Sequence, residues 1–145
     1  MKPVCCDTSF LFALYGSDLH TAKALACVRR LTQSLTLSIL NEFEFENALR
    51  FAGWRQLFSA AQITRFQAAF EMDRKSGRLV VIPCNLAAVL NEARRLSGVY
   101  TITGGHRSFD ILHVAAALVG KAGVFYSFDA NQRKLAQAEG LKLNP

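Results

Sequence analysis

Short runs of apolar and β-branched residues alternate along this chain with longer stretches of helical spacing, and that alternation restricts the fold more than any other feature. Pro3–Cys6, Leu35–Ile39, Leu79–Ile82 and Gly123–Phe128 are apolar runs of strand length, and Leu141–Leu143 offers a short final one. Continuous rather than alternating hydrophobicity marks strands covered on both faces. Helical patterns fill the intervals at Ser9–Tyr15, Asp18–Leu31, Leu40–Ala52, Ala60–Lys75, Leu86–Ser97, Ser108–Gly120 and Ala130–Glu139. Strands that alternate with helices pair in parallel, with the crossover helices packed on the two faces of the sheet. The expected fold is therefore a three-layer α/β/α domain around a central parallel sheet. No repeat, low-complexity tract or linker divides the 145 residues, so residues 1–145 read as one domain. Ligands of such sheets bind outside the carboxyl ends of the strands. Chemistry is expected where a strand stops.

No stretch reaches the roughly 18–20 uninterrupted apolar residues of a membrane span. The opening MKPVCCDTSF lacks the apolar core and small-residue cleavage site of a secretory signal. A soluble cytoplasmic protein with no membrane partner is the expectation. Cys5 and Cys6 are adjacent in a strand and point to opposite faces, so they do not together hold one metal. With Cys27 and Cys84 they form no C-x-x-C pair and read as small buried hydrophobes. Seventeen Lys and Arg against 11 Asp and Glu leave a net charge of +6. That excess favours an anionic partner such as nucleic acid, although many ordinary domains are as basic.

The acidic residues carry the sharper signal. Asp7 follows the first strand and Asp129 follows the fourth, each just ahead of a helix. Either is a natural N-cap, and either equally well a ligand at the carboxyl edge of the sheet. Glu44 is more telling. On a helix at about 100° per residue from Leu40, Glu42 and Glu46 fall at about 200° and about 240°, on a polar face with Arg50. Glu44 falls at about 40°, inside the apolar arc of Leu40, Phe51 and Ala48, where a charged carboxylate needs a partner or a metal. Glu42 and Glu46 read as solvent-facing, with Glu46 placed to pair with Arg50. Asp110 lies in the first turn of the apolar helix SFDILHVAAALVG, where the helix dipole also favours an anion. Arg107 beside it reads either as an ion-pair partner or as a phosphate contact. His20 reads as exposed, His106 as a loop residue, and His113 as a core histidine rather than a ligand. Carboxylate oxygens alone suit Mg²⁺ or Mn²⁺ rather than zinc. Crowded together without a cation, such acids are expected to repel and raise the pKa of at least one of them.

These residues resemble the PIN-domain family, and within it the VapC-like toxins of bacterial toxin–antitoxin pairs. The likeness rests on DTSFL near the N-terminus and on E-x-x-N-A-L-R, here Glu44 to Arg50. It rests further on R-S-x-D-I-L-H-V-A-A-A from Arg107 to Ala117, and on SFD from Ser127 with its following helix. The resemblance implies a metal-dependent ribonuclease that hydrolyses RNA phosphodiester bonds. Asp7, Glu44 and Asp110 would hold Mg²⁺ (or Mn²⁺), with Asp129 acting directly or through water. It also implies a homodimer and a cognate antitoxin protein as partners. Arg50, Arg55, Arg107 and Lys121 are candidates to follow an RNA backbone. A solitary RNA-processing nuclease and a non-catalytic binding module of the same fold remain open alternatives. A phosphatase of the haloacid dehalogenase type needs a second aspartate two residues after the first, and Ser9 stands there.

Overall fold

The computed structural model describes every residue from Met1 to Pro145. Its strands are β1 (Val4–Cys6), β2 (Leu35–Ser38), β3 (Leu79–Ile82), β4 (Val124–Tyr126) and β5 (Lys142–Asn144). They form one sheet in the order β3-β2-β1-β4-β5, with every neighbouring pair parallel. The helices are α1 (Thr8–Tyr15), α2 (Thr21–Arg29), α3 (Ile39–Trp54), α4 (Ala60–Lys75), α5 (Leu86–Leu96), α6 (Ile102–Gly104), α7 (Ser108–Val119) and α8 (Ala130–Ala138). A π-helical stretch, Ser97–Thr101, joins α5 to α6. From β1 the chain builds outward through β2 and β3, then returns to the other side of β1 as β4 and β5. The strand order reverses between β1 and β4, and such a reversal opens a crevice at the carboxyl edge.

The sheet divides the core in two. Cys6, Phe10, Leu37, Phe45, Leu49, Phe70 and Tyr126 pack on one side, chiefly with α1, α3 and α4. Cys5, Val89, Leu96, Val114, Phe125 and Leu135 pack on the other, with α5, α7 and α8. Adjacent cysteines thus enter different layers, as strand alternation requires, and all the cysteines are free thiols. No helix is long and apolar enough to cross a membrane.

Element ends depart from the sequence expectation where side chains take over backbone hydrogen bonds. Strand β2 stops at Ser38, one residue early, because the Ser38 hydroxyl accepts from Asn41 N at 3.1 Å and caps α3. Helix α2 starts at Thr21 rather than Asp18. Asp18 is spent on a turn, accepting from His20 N at 2.7 Å while its own N–H donates to Thr21 Oγ1 at 2.9 Å. The extension of α5 through Ser97–Gly104 was not foreseen; it carries no buried residue, so no apolar period announces it. It ends at Gly105, whose φ of 66° is the left-handed conformation glycine accepts without strain.

Candidate active site

Asp7 leaves β1 at the crevice and is fully buried. Its Oδ1 accepts from the Ser9 hydroxyl at 2.7 Å and from Phe10 N at 3.0 Å, so it does cap α1. Its Oδ2 accepts from the Ser127 hydroxyl at the end of β4. Burial lifts its carboxyl from 3.8 to about 6, against the pull of those hydrogen bonds and of the nearby His113. Repulsion between acids was expected to produce such a rise. The largest cause is instead loss of water, because Asp7 is fully buried.

Asp129 caps α8, its Oδ1 accepting from Gln132 N at 2.8 Å, while its own N–H donates to Ser127 Oγ at 3.0 Å. Ser127 therefore touches Asp7 and Asp129 together. Gln132, also buried, does the same for the next pair: its Nε2 donates to Asp110 Oδ1 at 3.1 Å. Asp110 sits in the first turn of α7, and its Oδ2 accepts from Arg107 Nε at 3.3 Å. The Arg107 side chain is 81% exposed, so this ion pair leaves the guanidinium open to a further anion.

Glu44 projects from α3 towards α7, where its Oε1 meets His113 Nε2 at 2.9 Å. Burial pushes its carboxyl up, but the hydrogen bond and charge of His113, with Thr8 and Arg107, outweigh that and hold it below the usual range. His113 is not a bystander of the core. Its side chain is fully buried, its Nε2 is paired with Glu44, and its Nδ1 has no partner. Thr8 completes this side, donating to Asn41 Oδ1 at 2.8 Å, while Asn41 Nδ2 donates to the Cys6 carbonyl at 2.7 Å. Glu46 pairs with Arg50 at 3.8 Å as expected. Glu42 does not face solvent as read from the helix: it reaches Arg74 of α4 at 3.0 Å and is largely covered.

Two adjoining clefts open above this network and share Thr8 and Ala48. One, about 460 Å³, is lined by Glu44, Asp110, Arg107, Ser108 and Phe109. The other, about 360 Å³, is lined by Ser9, Phe12, Asp18, His20, Phe128 and Asp129. As the side chains stand, no three acids, histidines or cysteines are close enough to share an ion. Both oxygens of Asp7 and of Asp110 are already taken by protein donors. The donor chemistry nevertheless fits Mg²⁺ or Mn²⁺, since it consists of carboxylate oxygens at one edge of the sheet. Gln132 Oε1, buried among them without a partner, is an acceptor suited to a coordinated water. Ser127, Gln132 and His113 were missed as members of the site. The signal for Gln132 was its place three residues after a capping Asp; for His113, its place one turn after Asp110 on the same buried face.

A family model described as PIN domain matches residues 4–138. None of the curated proteins matches this sequence. Among solved structures, a chain of VapBC2 from Rickettsia felis, bound to a DNA fragment from its promoter, superposes with a TM-score of 0.66 at 12% identity. That match covers 97% of this chain and 96% of the other. PAE2754 from Pyrobaculum aerophilum superposes with a TM-score of 0.58 at 17% identity, over 98% of this chain and 89% of the other. At these identities the likeness speaks for the fold.

Proposed function

Because this chain belongs to the PIN-domain family, whose model spans residues 4–138, we propose that it is a metal-dependent endoribonuclease. PIN domains are in general nucleases, and the expected substrate here is RNA. The observation that carries the reading is the chain of hydrogen bonds from Asp7 through Ser127, Asp129 and Gln132 to Asp110, with Glu44 facing Asp110 across one cleft. A cap alone explains the Asp129 carboxylate; it does not explain why Asp7, besides capping α1, also accepts from Ser127 at the end of β4, or why Gln132 of α8 reaches Asp110 of α7.

In this proposal Asp7, Glu44 and Asp110 hold Mg²⁺ or Mn²⁺, with Asp129 direct or through water. The ion supplies a water of lowered pKa and positive charge against the scissile phosphate. Ser127 and Gln132 fix the facing of the aspartates, and His113 fixes Glu44. Exposed Arg107 contributes a phosphate contact at the rim of the same cleft. A cytoplasmic toxin of a toxin–antitoxin pair is the form favoured by the sequence resemblance, with a cognate antitoxin as partner. Self-association is supported by Phe43, Phe51, Trp54 and Leu57, exposed around the face and end of α3.

The test is cleavage of a mixed single-stranded RNA pool with Mn²⁺ and with excess chelator. Parent protein should cleave only with the cation, and Asp110→Asn should not cleave. RNA binding without cleavage under any cation would favour the non-catalytic module instead.

A further inference from the structure

The cleft beside Asp129 is built differently from the one that holds Arg107. Its wall is a column of rings: Phe10 is fully buried, Phe128 stacks on it at 5.7 Å and 16°, and His20 stacks on Phe128 at 4.4 Å and 5°. Phe10 is itself braced edge-on by Tyr126 at 5.0 Å. His20 and Phe128 are only half-buried. The column therefore runs from the core to the cleft and is rigid at its base. His20 is held at its outer end by the Asp18 turn, in which Asp18 Oδ1 accepts from His20 N. The charged residues of this cleft are Asp18 and Asp129, with no Lys or Arg among its lining.

We propose that this cleft binds a nucleobase of the RNA strand, stacked on the His20–Phe128 column, and that it sets base preference next to the cleaved bond. This rests on the nuclease reading above and assigns its substrate-reading subsite. Asp18, the carboxylate of this cleft that the proposed ion does not engage, repels a phosphate but accepts N–H groups, so the cleft suits a base edge carrying an exocyclic amine. The phosphate is left to the neighbouring cleft, where Arg107 stands. Thr8 and Ala48 line both clefts, so a base and its adjoining phosphate are accommodated side by side. Aromatic faces accept every base by stacking, and Asp18 then discriminates among them.

The experiment measures binding by fluorescence anisotropy in chelator, where cleavage is stopped. The probe is a labelled single-stranded RNA octamer, compared with the same octamer carrying one abasic site at each position in turn. In the parent, an abasic site at one position should weaken binding by about tenfold, the worth of one base–aromatic stack. His20→Ala should bind the intact octamer about tenfold more weakly and become indifferent to that abasic site, whereas His20→Phe should restore both. Phe128 is avoided because it packs on Phe10 and its loss disturbs the core; unchanged melting of the His20 variants confirms an intact fold. If His20→Ala binds like the parent, or feels the abasic site as strongly, the subsite is refuted while the nuclease reading stands. If the parent binds no RNA in chelator, the subsite is refuted, and the cleavage assay with Mn²⁺ decides the nuclease reading separately.

Discussion

Replacing Asp7 by Asn removes a charge from a place that has no water to solvate it. The carboxyl titrates near 3.8 when exposed and at about 6 when buried in the fold. The folded protein thus holds the proton more tightly than the unfolded chain. Stability contributed by the protonated form is complete below pH 3.8 and is lost as pH rises through about 6. At 1.36 kcal/mol per pH unit, that gap makes ionised Asp7 cost the fold about 3 kcal/mol at neutral pH. Asparagine keeps an acceptor for Ser9 and Phe10 N, and remains a good cap. Its amide N–H₂ faces Ser127, which must turn its hydroxyl to accept, at a cost of about 1 kcal/mol. The net gain is about 2 kcal/mol, or a melting temperature about 4–8 °C higher. Thermal melts of both proteins in chelator, at about pH 8 and at about pH 4, measure it. Asp7→Asn should melt higher at the upper pH, with the advantage gone at the lower. A variant that melts below the parent at pH 8 would mean that the Asp7 hydrogen bonds outweigh the cost of its burial, which would refute a destabilising Asp7. Saturating Mn²⁺ should stabilise the parent by about 2.7 kcal/mol at a hundredfold excess over its dissociation constant, and the variant by much less.

Glu44→Gln should abolish RNA cleavage and, because the carboxyl titrates low in the fold, remove stability that the parent has above pH 4.5; melts across pH 3 to 7 and a gel assay check both halves. Glu46→Gln, an exposed pair with Arg50, should change stability by under about 0.5 kcal/mol and leave cleavage intact. His113→Ala should weaken Mn²⁺ binding by about 10- to 100-fold in calorimetry, as expected for a residue that orients a ligand; an unchanged affinity would return His113 to a purely structural role. Phe51→Glu combined with Trp54→Glu should turn a dimer into a monomer in sedimentation, and a parent that is already monomeric would remove the proposed interface.

Local periodicity and local capping carried much of the reading. The strands and most helices, and the split of Cys5 and Cys6 between two layers, follow from side-chain direction, which repeats every two residues in a strand and every 3.6 in a helix. Helical spacing turns Glu44 inward with Phe51, but α3 buries Asn41, Phe45, Leu49 and Ala52 instead, and Glu44 stands half-covered at a cleft beside His113. Asp7 and Asp129 were legible both as caps and as site residues, and in the fold they are caps that also meet Ser127. Periodicity gave Glu42 to solvent, but only the packing of α4 decided that Arg74 would cover it. Likewise Ser127 meets Asp7 across 120 residues, Glu44 meets His113 across 69, and Gln132 meets Asp110 across 22. The sequence alone determined where the chain runs as strand and where as helix, because that depends on the backbone beside each side chain. Which inward groups become partners depends on how strands are ordered in the sheet, and that order exists only once the chain has closed on itself.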